Sequence, residues 1–185
     1  MGYEAALEKA WDDLFHLNPN PANNLLVKFM ADEYSVDTRG RKILSSSCNV
    51  PAKDFLSVLL LHYLAKRSSG LPAASGQWLT FREFSGVEGY YEAFRRRCIE
   101  PIVRKYGRDP EALKAAVSGL PAKISDGADA SLVIEPLAGV PVLIKLWKQD
   151  EEFAPEANMY FDASIKNIFC TEDMVVLAQM VASRL

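Results

Sequence analysis

Three consecutive carboxylates, Asp150, Glu151 and Glu152, form the densest acidic cluster of the sequence, and Trp147 and Phe153 bracket them. Carboxylate oxygens are ligands for divalent cations, and a carboxylate that an aromatic neighbour desolvates can act as a general acid or base. The alternative is a solvated turn, or one whose carboxylates accept hydrogen bonds from backbone N–H groups. In an extended backbone alternate side chains point in opposite directions, so at most two of the three acids converge. The sequence leaves both interpretations open.

The three cysteines and two histidines form no recognisable metal or disulfide motif. Cys48, Cys98 and Cys170 are odd in number and widely spaced, so we expect reduced thiols buried as small hydrophobic groups. His16 and His62 lie on predicted helices that are far apart in the sequence, and no metal site is assigned. His62 is interpreted as a core or boundary histidine with satisfied hydrogen bonds, and the alternative is a ligand-binding or catalytic role.

The longest extended apolar stretch comes just before the acids. Residues 131–137 and 140–147 are rich in Val, Ile and Leu and flank a short connector that contains Gly139, which predicts a β-hairpin. A helix from about residue 51 to Arg67 is apolar on almost every side, which predicts a central buried helix in contact with both the hairpin and the last helix. The acidic turn itself is expected to rest on the sheet through buried Trp147 and Phe153 side chains.

Composition and periodicity together predict an α+β fold, with a mostly antiparallel sheet and helices packed against it. At 185 residues the chain fits a single domain over residues 1–185, in which residues 1–20 hold an N-terminal helix. No apolar run approaches the roughly 20 residues that a membrane-spanning helix needs, and no membrane association is expected. The acidic, amphipathic N-terminus resembles neither a signal nor a transit peptide, so we expect a cytoplasmic protein.

One basic concentration stands out in the sequence, with several Arg and Lys residues between positions 95 and 108. The net charge of −3 and the winding of these side chains around a predicted helix favour a solvated face over a nucleic-acid surface. Phosphate loops, nucleophile elbows and zinc-protease motifs are absent from the sequence. No nucleic-acid partner is therefore expected.

Several segments of the chain resemble the family called domain of unknown function 3786, over about residues 30–180. The segments that carry the resemblance are GQWLTFREF (76–84), YY (90–91), Phe94, PVLIKLW (141–147), DEEF (150–153), FD (161–162) and TED (171–173). The family occurs in anaerobic bacteria and archaea, and some relatives have an iron–sulfur module ahead of this domain. This sequence has no Cys-rich segment at its N-terminus, so the cluster is not carried over. The resemblance implies a cytoplasmic α+β domain and no established activity.

These observations predict a non-catalytic binding or accessory module whose site lies near the turn at residues 147–153. The alternatives are a small enzyme that uses the carboxylates, with or without a divalent metal, and a homo-oligomeric scaffold. A small molecule or a protein is the expected partner, while the cofactor and the oligomeric state stay unknown. The candidate ligand-binding residues are Trp147, Asp150, Glu151, Glu152, Asp162, Trp78 and Arg82.

Overall fold

A computed structural model describes residues 2–185 of the chain and confirms the α+β class. The α-helices are α1 (Glu4–Leu17), α2 (Asp54–Ser69), α3 (Tyr91–Phe94), α4 (Glu100–Tyr106), α5 (Pro110–Ala116) and α6 (Thr171–Arg184). The strands are β1 (Asn24–Phe29), β2 (Asp32–Asp37), β3 (Lys42–Ser45), β4 (Trp78–Thr80), β5 (Ala122–Ile124), β6 (Ala130–Leu137), β7 (Val140–Trp147) and β8 (Glu156–Asp162). No helix within the described residues is both long and apolar enough to cross a membrane.

All strand pairs in the described residues are antiparallel, and they fall into two sheets. One sheet has the order β1-β2-β3 and the other the order β4-β8-β7-β6-β5. The predicted hairpin is confirmed as β6 and β7, which pair from Ala130 with Leu146 to Leu137 with Val140. The backbone of Met30 donates a hydrogen bond to the carbonyl of Pro136, so the small sheet is tied directly to the large one.

Helix α2 is the buried centre of the molecule, as its apolar composition predicts. Leu59, Leu60 and Leu61 are 0% exposed, so the helix has no free apolar face. The Tyr63 hydroxyl donates to the carbonyl of Ala138 at 2.9 Å, which joins α2 to the turn of the β6–β7 hairpin. Helix α2 also contacts α6, as the sequence predicted. Helix α1 covers α2 from outside with buried side chains of its own, Ala10, Trp11 and Leu14.

The segment from Tyr91 to Tyr106 is a broken helix that packs on β8. Pro101 has no N–H to donate to the carbonyl of Arg97, and its ring crowds that carbonyl. The chain widens into a π-helical turn at Arg95–Ile99 before α4 begins, which fits the break that the proline predicts. Phe94 stacks on the ring of Phe81 at 4.2 Å, and both rings lie against Phe161 of β8.

Strand β8 is paired along only part of its outer edge. β4 pairs with β8 through the last three residues, from Tyr160 to Asp162. The first half of β8 therefore lies beside α3 and α4 with no strand next to it, and a groove remains between strand and helix.

The thiols are free, as expected, but the prediction that all three are buried is wrong. Cys98 is buried, whereas Cys48 and Cys170 are exposed. Cys48 lies in the loop after β3, and Cys170 precedes the first residue of α6. Both lie in connections between elements, where a side chain can reach the surface.

The central position of α2 makes a stability prediction. Leu60→Ala should lower the free energy of unfolding by about 2–5 kcal/mol, because it leaves a cavity in the hydrophobic core. Leu26→Ala is the matched control, since Leu26 is 54% exposed on β1. That change should cost less than about 0.5 kcal/mol. Urea unfolding measures both, and equal losses in the two variants would contradict a central α2.

Candidate functional site

The residues predicted to form one site lie at two opposite ends of β8. Trp147 pairs with Glu156 at the start of the strand, and Trp78 pairs with Asp162 at its end. Glu156 and Asp162 are six positions apart along the strand, a distance of roughly 20 Å. The structure therefore brings Trp78 and Asp162 together, but it does not bring Asp162 to the acidic turn.

The acidic turn (residues 150–153) is shaped by its first carboxylate. Asp150 Oδ1 accepts hydrogen bonds from the backbone N–H groups of Glu152 at 2.9 Å and Phe153 at 2.7 Å. The N–H of Asp150 in turn donates to the carbonyl of Phe153 at 3.1 Å. Asp150 thus matches the structural alternative. Glu151 and Glu152 are exposed, and Glu151 borders a shallow depression that also includes Arg108.

The prediction that Trp147 and Phe153 both hold this turn against the sheet is wrong for Phe153. Trp147 is partly buried, but the side chain of Phe153 is 68% exposed. Pro155 makes the packing contact instead, since it lies against Gly107 so closely that a Cβ on that glycine would come within 2.6 Å of it. The two aromatic residues that bracket the acids therefore have different roles.

Asp162 is buried, at 2% exposure, and its carboxylate is saturated with hydrogen bonds. It accepts from the N–H and hydroxyl of Ser75 at 2.9 and 3.0 Å, from the N–H of Gly76 at 2.7 Å and from the N–H of Ser164 at 2.9 Å. Burial acts to raise the pKa of Asp162, but the hydrogen bonds outweigh it and hold that pKa far below its usual range. The carboxylate joins the loop before β4 to the end of β8.

Trp78 and Arg82 lie near this end of β8. Trp78 is partly buried in β4, and the guanidinium of Arg82 lies 3.7 Å from the centre of the Tyr91 ring. A cation–π contact of this kind stabilises the fold, so the position of Arg82 is explained without a bound ligand.

A second buried carboxylate, Asp173, has partners that can do chemistry. His62 Nδ1 lies 2.8 Å from Asp173 Oδ2, and the thiol of Cys170 donates to the same oxygen at 3.3 Å. Asp173 is 6% exposed in the first turn of α6, whereas the His62 side chain is 26% exposed on α2. The imidazole is therefore oriented by a carboxylate at Nδ1, which leaves Nε2 free for a ligand.

The charges of this cluster follow from its geometry. The hydrogen bond to Asp173 raises the pKa of His62 above its usual value, although burial acts in the opposite direction. Desolvation, supported by the charge of Asp173, raises the pKa of the Cys170 thiol well above its usual value. The cluster at neutral pH thus pairs a carboxylate with an imidazole biased towards its cationic form, beside a protonated thiol.

His62 opens onto a pocket of about 460 Å³ between α1, α2 and the start of α6, called here the His62 pocket. A volume of this size is in the range of about 300–1,000 Å³ found for small-molecule sites. Both histidines of the sequence border it, although they lie on helices that are far apart along the chain. Its lining residues are Lys9, Asp13, His16, Leu17, His62, Ala65, Lys66, Ile168, Cys170 and Asp173.

The sequence interpretation found His62 but missed its partners. Asp173 is 111 residues away along the chain, and in the sequence it looks like an ordinary acidic residue in the first turn of a helix. The contact could have been inferred from one feature: Asp173 lies in the first turn of α6, a helix that the sequence predicted to contact α2. Within residues 2–185, no group of three or more His, Cys, Asp or Glu side chains is arranged to hold a metal ion.

Comparison with known proteins gives one match. The family model described as Domain of unknown function (DUF3786) matches residues 16–184, which confirms the resemblance read from the sequence. No curated protein and no solved structure matches the chain. The match begins in the last turn of α1, so most of that helix lies ahead of the matched region.

The raised pKa of His62 predicts a pH-dependent contribution to stability. A group whose pKa is raised on folding stabilises the protein fully below its unfolded pKa of about 6.5, and this stabilisation is lost as the pH rises through the folded pKa. Lys9 and Asp13 of α1 also act on His62, in opposite directions. We expect the unfolding free energy of the wild type, minus that of His62→Asn, to fall as the pH rises above about 6.5. A difference that is constant from about pH 5 to pH 9, measured by urea unfolding, would contradict the ion pair.

Asp162 carries a separate stability prediction. Asp162→Asn places an amide where backbone N–H groups converge, so at least one donor loses its acceptor. The free energy of unfolding should fall by about 1–3 kcal/mol at neutral pH. Asp126→Asn, on an exposed loop, is the matched control and should leave the free energy nearly unchanged. Chemical denaturation measures both variants. An unchanged free energy of unfolding in Asp162→Asn would show that the carboxylate is not structural.

Proposed function

The chain belongs to the family of domain of unknown function 3786, and we propose from its site that it is a binding module for small organic anions. The proposed site is the His62 pocket. The observation that carries this proposal is the pairing of His62 with Asp173. It occupies Nδ1 and biases the imidazole towards its cationic form, and His62 is a lining residue of the pocket. We also infer that residues 1–185 form a single domain. This inference is supported by one hydrophobic core that includes residues of α1, both sheets and α6.

The ionic groups around the pocket favour an anion. Lys9 and Lys66 border it, and neither takes part in an ion pair within the described residues. Asp173 is already neutralised by His62, so Asp13 is the only uncompensated carboxylate in the lining. Two ammonium groups without an ion-pair partner therefore face a single free carboxylate, which leaves the lining with an excess of one positive charge. A charge-assisted hydrogen bond to an incoming anion is roughly twice as strong as a neutral one.

The remaining lining residues fit an organic body on that anion. Leu17, Ala65 and Ile168 supply an apolar surface between the cationic groups. Pockets that combine apolar walls with a few polar groups bind small molecules in defined orientations. A carboxylate attached to a compact hydrocarbon group satisfies both parts of the lining.

A catalytic role for the same residues is less favoured. A His–Asp pair also serves general acid–base catalysis, but a raised pKa lowers the fraction of His62 that can accept a proton at neutral pH. Cys170, the adjacent nucleophile, is held as a neutral thiol by its raised pKa, and a thiolate is the reactive form. The geometry thus supports holding an anion more than transforming one.

Three isosteric probes test the charge preference. Benzoate, benzamide and benzamidinium share a ring and a planar head group but carry charges of about −1, 0 and +1 at neutral pH. We expect benzoate to bind at least about tenfold more tightly than benzamide, and benzamidinium to bind most weakly. Chemical-shift titration of the labelled protein measures weak binding and locates it.

Variants separate the pocket from non-specific attraction. Lys66→Met and His62→Asn should each weaken benzoate binding by roughly tenfold, because each removes a charged donor. Lys123→Met removes a charge from exposed β5 and serves as the matched control. Equal affinities for the three probes, or an equal loss in the control, would overturn the proposal.

A further inference from the structure

The acidic turn and the groove beside β8 have no role in the proposed anion site. Phe153 is the most exposed large apolar side chain among residues 2–185, at 68%. Asp150 fixes the turn that presents it with two hydrogen bonds. An apolar side chain held rigidly in solvent costs free energy that a partner surface recovers. Preorganised aromatic residues of this kind are frequent anchors of protein interfaces.

The groove beside β8 has a lining that suits a phenyl ring and a carboxylate. It encloses about 460 Å³ between α3–α4 and the start of β8, next to the acidic turn. Ile99, Val103 and the Tyr91 ring supply apolar contact surface. Pro155, two residues after Phe153, forms part of its opposite wall, so turn and groove are neighbours on one face.

One cation of the groove and one carboxylate of the turn lack an ion-pair partner among the described residues. Arg95 is compensated within the chain by Glu100 at 3.0 Å, whereas Arg104 has no ion pair among the described residues. Glu156 lies at the strand side of the groove, and no ion pair joins it to Arg104. Glu152 on the turn is likewise exposed and unpaired in the described part of the chain. An incoming turn would thus place a free carboxylate near a free guanidinium.

We propose that a second copy of this chain docks its acidic turn into the groove, with Phe153 against Ile99 and Val103 and Glu152 near Arg104. Because turn and groove lie on one face, a two-fold axis near Pro155 lets both copies make the same contact. Such a self-complementary interface is the commonest arrangement in soluble dimers.

Sedimentation velocity of the full chain over a concentration series up to about 0.2 mM tests this interface. The wild type should form a dimer, and Phe153→Ser should be monomeric at every concentration. Ile124→Ser is the matched control because Ile124 is 63% exposed on β5, away from the groove, and it should dimerise normally. A monomeric wild type, or a Phe153→Ser protein that dimerises as well as the wild type, would overturn the proposal. Circular dichroism confirms that each variant is folded.

Charge reversal tests the register of the contact. Arg104→Glu and Glu152→Arg should each weaken the dimer by at least about tenfold, because each places like charges together. An equimolar mixture of the two variants should recover dimers, since every contact then pairs opposite charges. Failure of the mixture to recover dimers would exclude this pairing of Glu152 with Arg104.

Discussion

The carboxylate of Asp173 is buried where α6 begins, and a buried charge is stable only when it is paired and hydrogen-bonded. His62 supplies the pairing from the neighbouring helix α2, and the thiol of Cys170 adds a hydrogen bond. This requirement fixes the register of α6 against α2. It also fixes the tautomer and direction of the imidazole, because Nδ1 is committed and Nε2 is left for solvent or a ligand. The position of His62 in the lining of the His62 pocket therefore follows from its pairing with the Asp173 carboxylate.

The rest of the fold keeps that pairing in place. Helix α2 is enclosed by the hairpin, α1 and α6, so the backbone that carries His62 is fixed by packing on all sides. Helix α1 adds the outer wall of the pocket, with Lys9 and Asp13 in positions that precede the region matched by the family model.

Local patterns predicted the fold well, because helices and hairpins follow from periodicity and turn residues. The apolar surface of α2 and the β6–β7 hairpin were both readable in this way. The site was not, because its pairing joins residues 111 positions apart and neither residue type is unusual where it stands. Asp162 looked like a ligand-binding residue because hydrogen bonds from a distant loop are invisible in a sequence. The exposure of Phe153 was missed since an aromatic residue beside acids does not show on its own whether it packs inward or outward.

The most direct test of the anion site is the ionisation of His62 itself, followed by NMR as the pH is varied with and without saturating benzoate. Bound anion should stabilise the imidazolium and raise the pKa of His62 above its value in the free protein. A pKa of His62 that is identical with and without benzoate would contradict the proposed contact between the anion and this side chain.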